Sequence, residues 1–203
     1  MGEAEKYLIG ISKPFARVIP NHDPFPTKFA KARDPYQSLV RAVVYQQLSG
    51  KAAATILGRV VALFPDKDFP DPEDLIKAKP EKLRAAGLSR QKTAALKDIA
   101  EKRLEGVIPP ARALHKLSDE DIIARLTAAR GVGRWTVEMY LMFTLGRPDV
   151  LPVDDLGVRK GAEKLFRREF TPKTLGAYGE RWRPWRSAAA WHLWRLVDTK
   201  TPD

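Results

Sequence analysis

The stretch "RGVGRWTVEMYLMF", Arg130–Phe143, places two glycines directly before an apolar helical run. Glycine permits positive φ and close backbone approach, so Gly131-Val132-Gly133 predicts a tight turn between two helices. The first amides of the following helix lack intrahelical acceptors and lie at the positive end of its dipole. With the charge of Arg134 beside them, they predict an anion site that suits a phosphate. An ordinary helix–helix turn, with glycine serving geometry alone, explains the same residues.

The composition favours a polyanionic partner. The 36 Lys and Arg residues exceed the 25 Asp and Glu residues, and the formal net charge is +11. Such an excess attracts nucleic acid, although a basic surface without a partner is the alternative. The absence of cysteine excludes disulfides, cysteine-bound zinc and an iron–sulfur cluster. The three histidines lie far apart in the sequence and show no metal-ligand spacing.

The sequence shows no sign of a membrane or secretory destination. No apolar run approaches the length of a membrane span, and the acidic N-terminus is unlike a signal peptide. We therefore expect no membrane partner, and a cytoplasmic, nucleoid-associated protein, or a nuclear one if the source is eukaryotic.

The apolar periodicity predicts an all-α protein with about ten helices and no strands. Residues 1–34 form a proline-rich arm with one short element near Ala4–Ser12. Helix starts are indicated at Pro35, Lys51, Pro72, Gln91, Ser118, Arg134, Thr171 and Trp182. The last of these helices is expected to run from Trp182 to Val197.

An aspartate pair follows a proline in "LPVDDLGV", Leu151–Val158. The simpler interpretation is a helix N-cap with a neighbour that complements the helix dipole. A catalytic interpretation also has a physical basis, because a carboxylate can orient water and stabilise a positive charge that forms during a reaction. These residues alone do not decide between Asp154 and Asp155.

Four segments between Asp34 and Trp194 resemble the helix–hairpin–helix (HhH-GPD) DNA glycosylase superfamily, and within it the 3-methyladenine DNA glycosylase II branch. In chain order they are "VRAVVYQQLSGKAA", "LTAARGVGRWTVEMYLMF", "LPVDDLGVRKG" and "RWRPWRSAAAWHLWR". The resemblance implies one two-lobed, all-α domain over residues 1–203, with the active-site cleft between the lobes. Lobe one would cover about 35–110, and lobe two about 111–203 packed with the arm 1–34. So short an arm resembles the members that lack an N-terminal β domain.

The resemblance assigns roles to the glycine turn and the aspartates. The turn would hold a DNA phosphate through Gly131, Val132, Gly133 and Arg134. No cofactor is implied beyond a monovalent cation, Na⁺ or K⁺, on the backbone carbonyls of Thr127, Ala129 and Val132. Asp155 is implied as the catalytic residue, because the family aspartate has an aliphatic residue three positions later and Val158 stands there. Asp154 is the second candidate.

The resemblance also implies a base pocket. Relatives that cut the backbone carry a lysine where this chain has Trp135, so the implied enzyme uses water and has no lyase step. A positively charged methylated purine would stack on the Trp135 indole. Further pocket residues are implied at Trp185, Tyr45, Met139 and Tyr140. Trp191 and Trp194 are interpreted as core residues of an amphipathic helix.

The segment "YQQLSGKAA" is implied to fill the gap that a flipped base leaves, through Gln47 or Leu48. A polar interhelical turn with Ser49 as N-cap is an alternative that is compatible with this. The implied function is a monomeric, monofunctional DNA glycosylase that excises alkylated purines, such as 3-methyladenine and 7-methylguanine, from duplex DNA in base excision repair. The alternative is a non-catalytic helix–hairpin–helix module that only binds DNA.

Overall fold

The structure is a computed structural model that describes residues 1–26 and 34–197. Within these residues, the regular secondary structure is helical throughout, which confirms the predicted all-α fold. The α-helices are α1 (Glu3–Ile11), α2 (Lys13–Val18), α3 (Pro35–Tyr45), α4 (Gly50–Ala62), α5 (Pro72–Lys77), α6 (Pro80–Ala85), α7 (Arg90–Leu104), α8 (Ala111–Leu114), α9 (Asp119–Leu126), α10 (Arg134–Phe143), α11 (Leu156–Phe166), α12 (Pro172–Gly179) and α13 (Arg186–Arg195).

Local sequence signals explain several of these helix starts. The hydroxyl of Ser49 accepts the N–H of Ala52 at 3.4 Å, and the hydroxyl of Ser118 accepts the N–H of Asp121 at 3.1 Å. A helix start leaves its first N–H groups without intrahelical acceptors, and a side-chain oxygen supplies one. Thr171 caps α12 in the same way, with Pro172 at the first helical position.

The described residues 34–140 form one compact unit, in which α7 is central. This helix packs against α3, α5 and α6. Its apolar side, which includes Leu96 and Ile99, is fully buried. Burial of such side chains supplies most of the favourable free energy of the unit.

The described residues 1–26 and 141–197 form the other compact unit. Here α13 packs against α11 and α1, and α11 also packs against α12 and α2. An aromatic cluster centres on the fully buried ring of Trp182, which contacts Phe15, Phe166 and Tyr178.

The division into units differs from the lobes expected from the sequence. Residues 111–140 belong with the helices before them rather than with the C-terminal helices. The physical reason is that the turn after α9 packs on α7, where Asp98 accepts the N–H of Arg130 at 2.7 Å.

The helix α1 confirms the short element predicted near Ala4–Ser12, and it buries Leu8 and carries a side chain that contacts α13. Two local expectations were wrong. The arm holds a second helix, α2, which was expected to be irregular and which buries Phe15. Residues 27–33 of the expected arm lie outside the described residues. The last helix begins at Arg186 instead of Trp182, since Pro184 has no N–H to donate in a helix interior.

Candidate active site

The predicted site residues divide into two groups, one in each unit. The glycine turn, the loop after α3 and the residues of α10 up to Tyr140 belong to unit 34–140. Both aspartates and Trp185 belong to the other unit.

The turn between α9 and α10, residues 127–133, depends on one glycine. Gly131 has φ +78°, which disfavours any residue with a side chain. A β-carbon at this position would lie 3.1 Å from that of Ala95, so the turn also sits close against α7. At Gly133, by contrast, a β-carbon would meet nothing within 4 Å. The absence of a side chain at Gly133 leaves room for an outside group to approach the backbone.

The 127–133 turn contains both exposed and buried residues. Gly131 and Gly133 are exposed, whereas Ala129 and Val132 are buried. The Val132 N–H donates to the Ala129 carbonyl at 3.1 Å, and that oxygen has a second lone pair. The backbone carbonyls of Thr127, Ala129 and Val132, which are predicted to bind a cation, all lie within this turn. Hard, neutral oxygen donors of this kind fit an alkali cation.

Arg134 has partners that the sequence did not indicate. Its guanidinium forms a bidentate pair with Glu120, at 2.7 and 3.1 Å, and its Nε donates to Glu138 at 3.0 Å. The hydrogen bonds that Arg134 donates to Glu120, followed by the nearby charges of both carboxylates, raise the pKa of Arg134 above its ordinary value. Its charge is therefore balanced within the protein.

The loop between α3 and α4, residues 46–49, presents the two predicted gap-filling side chains. Gln47 adopts φ +57°, the left-handed conformation that few non-glycine residues take, and both Gln47 and Leu48 are exposed. The Leu48 N–H donates to the Tyr45 carbonyl at 3.3 Å, which closes the loop. Since Ser49 caps α4, the polar-turn interpretation is confirmed, and it is compatible with a gap-filling role.

The predicted pocket residues of α10 differ in exposure. Trp135 is 39% exposed, an unusual value for so large an apolar ring. Met139 and Tyr140 are buried, and burial raises the pKa of the Tyr140 hydroxyl, helped by the charge of Asp34. Tyr45, at the end of α3, is half-buried. Of these four residues, Trp135 is the most exposed.

Asp155 is the N-cap of α11, and one carboxylate oxygen receives two hydrogen bonds. Its Oδ1 accepts the Val158 N–H at 2.8 Å and the Trp194 Nε1–H at 2.8 Å. Asp155 is half-buried, whereas Asp154 is exposed in the preceding turn. The orientation of the Asp155 carboxylate is thus set by both α11 and α13.

Trp194 is the residue that sequence reasoning missed. It is 2% exposed, as a core residue should be, but its indole N–H also holds Asp155. A buried indole N–H needs a hydrogen-bond acceptor, and this general rule was the only signal in the sequence that Trp194 bonds to another residue. The contact joins residues 39 positions apart, and the sequence does not reveal which acceptor is used.

Trp185, the tryptophan that the resemblance favoured, is half-buried and precedes α13. Asp149 anchors the segment on both sides of Trp185, because it pairs with Arg183 at 2.6 Å and with Arg186 at 2.7 Å. Its pocket role stays a prediction. Trp191 is buried against Phe143, and its indole donates to the Asp23 carbonyl at 2.9 Å, which agrees with a core position.

The described residues contain no group of three or more His, Cys, Asp or Glu side chains placed to hold a metal ion. None of their helices combines the length and the apolar character that crossing a membrane requires.

Comparison with known proteins places the chain in a family. A model of the HhH-GPD superfamily of base excision DNA repair proteins matches residues 40–187. The chain belongs to the HhH-GPD superfamily. This confirms the predicted superfamily, and the matched region contains the 46–49 loop, the 127–133 turn and Asp155.

HhH-GPD relatives agree along nearly the whole chain. DNA-3-methyladenine glycosylase 1 of Schizosaccharomyces pombe is 39% identical, over 98% of this chain and 90% of that protein. The structure of the S. pombe enzyme in complex with abasic DNA superposes with a TM-score of 0.84 at 38% identity, covering 98% of this chain and all of that one. A Bacillus halodurans DNA-3-methyladenine glycosidase superposes with a TM-score of 0.85 at 34% identity, covering 98% and 90%. These HhH-GPD relatives confirm the predicted 3-methyladenine glycosylase branch, and with it the N-glycosyl hydrolase class.

Proposed function

We propose that this protein is a monofunctional DNA glycosylase that hydrolyses the N-glycosidic bond of alkylated purines in duplex DNA and leaves an abasic site. The observation that carries the proposal is the carboxylate of Asp155, held by Val158 and Trp194 in a chain of the 3-methyladenine glycosylase branch. The DNA-bound S. pombe relative supports double-stranded DNA as the partner. We expect the protein to act as a monomer, in the cytoplasm or, in a eukaryote, in the nucleus.

The proposed reaction replaces the bond from C1′ of the sugar to the base nitrogen with a bond from C1′ to water oxygen. The bonding electron pair leaves with the base, which neutralises the positive charge of a methylated purine. The sugar carries positive charge in the transition state, and the Asp155 carboxylate stabilises that charge and receives or directs the proton of water. Because residue 135 is tryptophan rather than lysine, no amine stands there to attack the sugar.

The exposed indole of Trp135 supports alkylated purines as the substrate class. A cation over an indole face gains about 0.5–2 kcal/mol, depending on how far it is desolvated. Stacking also offsets part of the cost of flipping the base out of the duplex. An ordinary neutral purine gains less from this contact and is a poorer leaving group.

The 127–133 turn supports binding of a DNA phosphate. Its exposed glycines permit close approach, and the amides at the start of α10 lie at the positive end of the helix dipole. We propose that the carbonyls of Thr127, Ala129 and Val132 would hold Na⁺ or K⁺ at this turn. Such an ion would supply positive charge for binding the strand.

The test uses a duplex with one 7-methylguanine and alkaline cleavage of the abasic product. We expect the wild type to release the base, and Asp155→Asn to be slower by at least about 100-fold, because the amide cannot offset the sugar charge. Asp155→Asn should bind an abasic duplex as well as the wild type does.

The matched control is Asp154→Asn, which makes the same change at the exposed neighbour and should keep nearly full activity. Full activity of Asp155→Asn would refute the assignment of the catalytic residue. A wild type that binds DNA but releases no methylated base would favour the non-catalytic DNA-binding module.

A further inference from the structure

One face of α7 contacts both the 46–49 loop and the 127–133 turn. Lys92, Ala95 and Asp98 follow one another at intervals of three and therefore share that face. At one end, the Lys92 ammonium donates to the Val44 carbonyl at 2.7 Å and to the Gln46 carbonyl at 2.8 Å.

At the other end of this face, α7 holds the 127–133 turn. Asp98 accepts the Arg130 N–H at 2.7 Å, and Ala95 packs against Gly131. Hydrogen bonds with a charged partner are the stronger kind, and here both charged side chains bind backbone atoms of a loop. Lys92 and Asp98 therefore hold the backbone of each loop in a fixed position on α7.

A direct bond joins the two loops. The side-chain amide of Gln46 donates to the Gly131 carbonyl at 2.9 Å, across 85 positions of sequence. Gln46 is also the residue whose carbonyl Lys92 holds, and it precedes Gln47, which has the left-handed backbone. The chain of contacts thus runs from Lys92 through Gln46 to Gly131.

We propose that Gln46 and Lys92 are positioning residues for base flipping, which hold the 46–49 loop at a set distance from the 127–133 turn. This inference rests on the proposed function, in which the turn grips a phosphate and the loop fills the vacated stack. The spacing between a phosphate and the neighbouring gap is set by the DNA. A loop free to shift by about 1 Å would miss the gap, and the unstacked state would lose its support.

The variants remove one contact each with little change in size. Gln46→Met removes the bond to Gly131. Lys92→Met removes the bonds to Val44 in the last turn of α3 and to Gln46 in the loop, whereas Lys92→Arg keeps a charged donor. The matched control is Lys97→Met, since Lys97 lies on the same helix and also donates to a backbone carbonyl, that of Ile76, at 2.6 Å. Its acceptor belongs to α5, away from both loops.

The first measurement is single-turnover excision of 7-methylguanine from two duplexes. In one the lesion is fully paired, and in the other it lies opposite an abasic site, where less stacking and pairing must be broken. We expect Gln46→Met and Lys92→Met to be slower by about tenfold on the paired duplex and by less than about threefold on the other. Lys92→Arg should recover most of the rate, and Lys97→Met should match the wild type.

The second measurement does not need catalysis. A 2-aminopurine placed next to an abasic site brightens when a side chain inserted by the protein disturbs its stacking. We expect the wild type and Lys97→Met to increase this fluorescence, and Gln46→Met and Lys92→Met to increase it by less than half as much at saturating protein.

The outcomes separate the two proposals. The positioning role is wrong, even though the enzyme works, if Gln46→Met and Lys92→Met slow excision from both duplexes equally. It is also wrong if these variants increase the fluorescence as much as the wild type does. If neither the wild type nor any variant releases the base, but the variants still differ from the wild type in fluorescence, the proposed function is wrong and the positioning role is supported. Should Lys92→Met fail to fold, Gln46→Met at the half-buried loop residue and Lys92→Arg still decide the question.

Discussion

At the scale of single residues, the Asp155 carboxylate owes its orientation to an indole on another helix. Trp194→Phe keeps most of the buried ring and removes the N–H that donates to Asp155. A hydrogen bond to a charged group contributes about 1.5–3 kcal/mol, so we expect excision to slow by roughly 10- to 100-fold. The measurement is single-turnover release of 7-methylguanine at saturating protein.

Trp191→Phe is the control, because that indole donates to the Asp23 carbonyl and not to Asp155. It should lose stability to a similar degree while excision, measured on folded protein, stays within about threefold. Equal losses of excision in the two variants would show that Trp194 acts only through packing.

A second residue-scale prediction concerns the fully buried His192 on α13. Burial lowers its pKa to about 4, the Glu5 carboxylate at 3.7 Å opposes this shift, and the nearby His22 and Arg195 add to it. The unfolded chain takes up this proton below its ordinary pKa of 6.5, whereas the folded protein does not. The free energy of unfolding should therefore fall as the pH drops from 6.5 towards 4, by up to about 1.4 kcal/mol per pH unit from this group.

Urea unfolding of the wild type and His192→Asn at about pH 7 and about pH 5 measures this contribution. The wild type should lose more stability between the two pH values than His192→Asn does. The exposed His115→Asn should keep the wild-type difference. An identical loss in the wild type and His192→Asn would contradict the prediction.

At the scale of elements, the crossing of α11 and α13 sets the geometry of the aspartate. A β-carbon at Gly161 on α11 would overlap the Leu193 carbonyl of α13, and a backbone atom cannot rotate away. We expect Gly161→Ala to destabilise the protein by about 1–3 kcal/mol or more, as overpacking does. It should also slow excision, because forcing the helices apart lengthens the bond from Trp194 to Asp155.

Gly58→Ala is the control for this crossing. It makes the same change inside α4, where a β-carbon would meet nothing within 4 Å. Thermal unfolding should show this variant to be more stable, by about 0.5–1 kcal/mol, since alanine favours a helix more than glycine does. A stable, fully active Gly161→Ala would mean that the crossing tolerates a wider spacing.

At the scale of the whole molecule, the charge of +11 should dominate DNA affinity. The logarithm of the association constant should fall linearly with the logarithm of the salt concentration, with a slope of about −0.9 for each phosphate neutralised. Changing the exposed Arg130 to Gln should reduce the magnitude of that slope by about 1. Arg134→Gln should change it less, because Glu120 and Glu138 already balance that charge. Fluorescence anisotropy over a salt series measures these slopes, and a flat response in the wild type would contradict the DNA partner.

The sequence by itself determined the features that depend on neighbouring residues. The caps at Ser49 and Ser118, the glycine turn at 131 and the helix start at Asp155 follow from backbone chemistry within a few positions. The four collinear segments predicted the superfamily, which the family comparison confirmed. In contrast, the structure groups residues 111–140 with the helices before them, whereas the sequence predicted a lobe boundary near residue 110, since periodicity shows that a helix is buried but not which partner buries it.

Only the tertiary structure decided which polar atoms meet across long stretches of chain. The bonds from Trp194 to Asp155 and from Gln46 to Gly131 span 39 and 85 positions, and the pair of Arg134 with Glu120 spans 14. A buried or half-buried polar group must find a partner, but many partners satisfy that need equally well. The choice among them depends on how the helices cross, and helix crossings follow from the packing of many side chains at once.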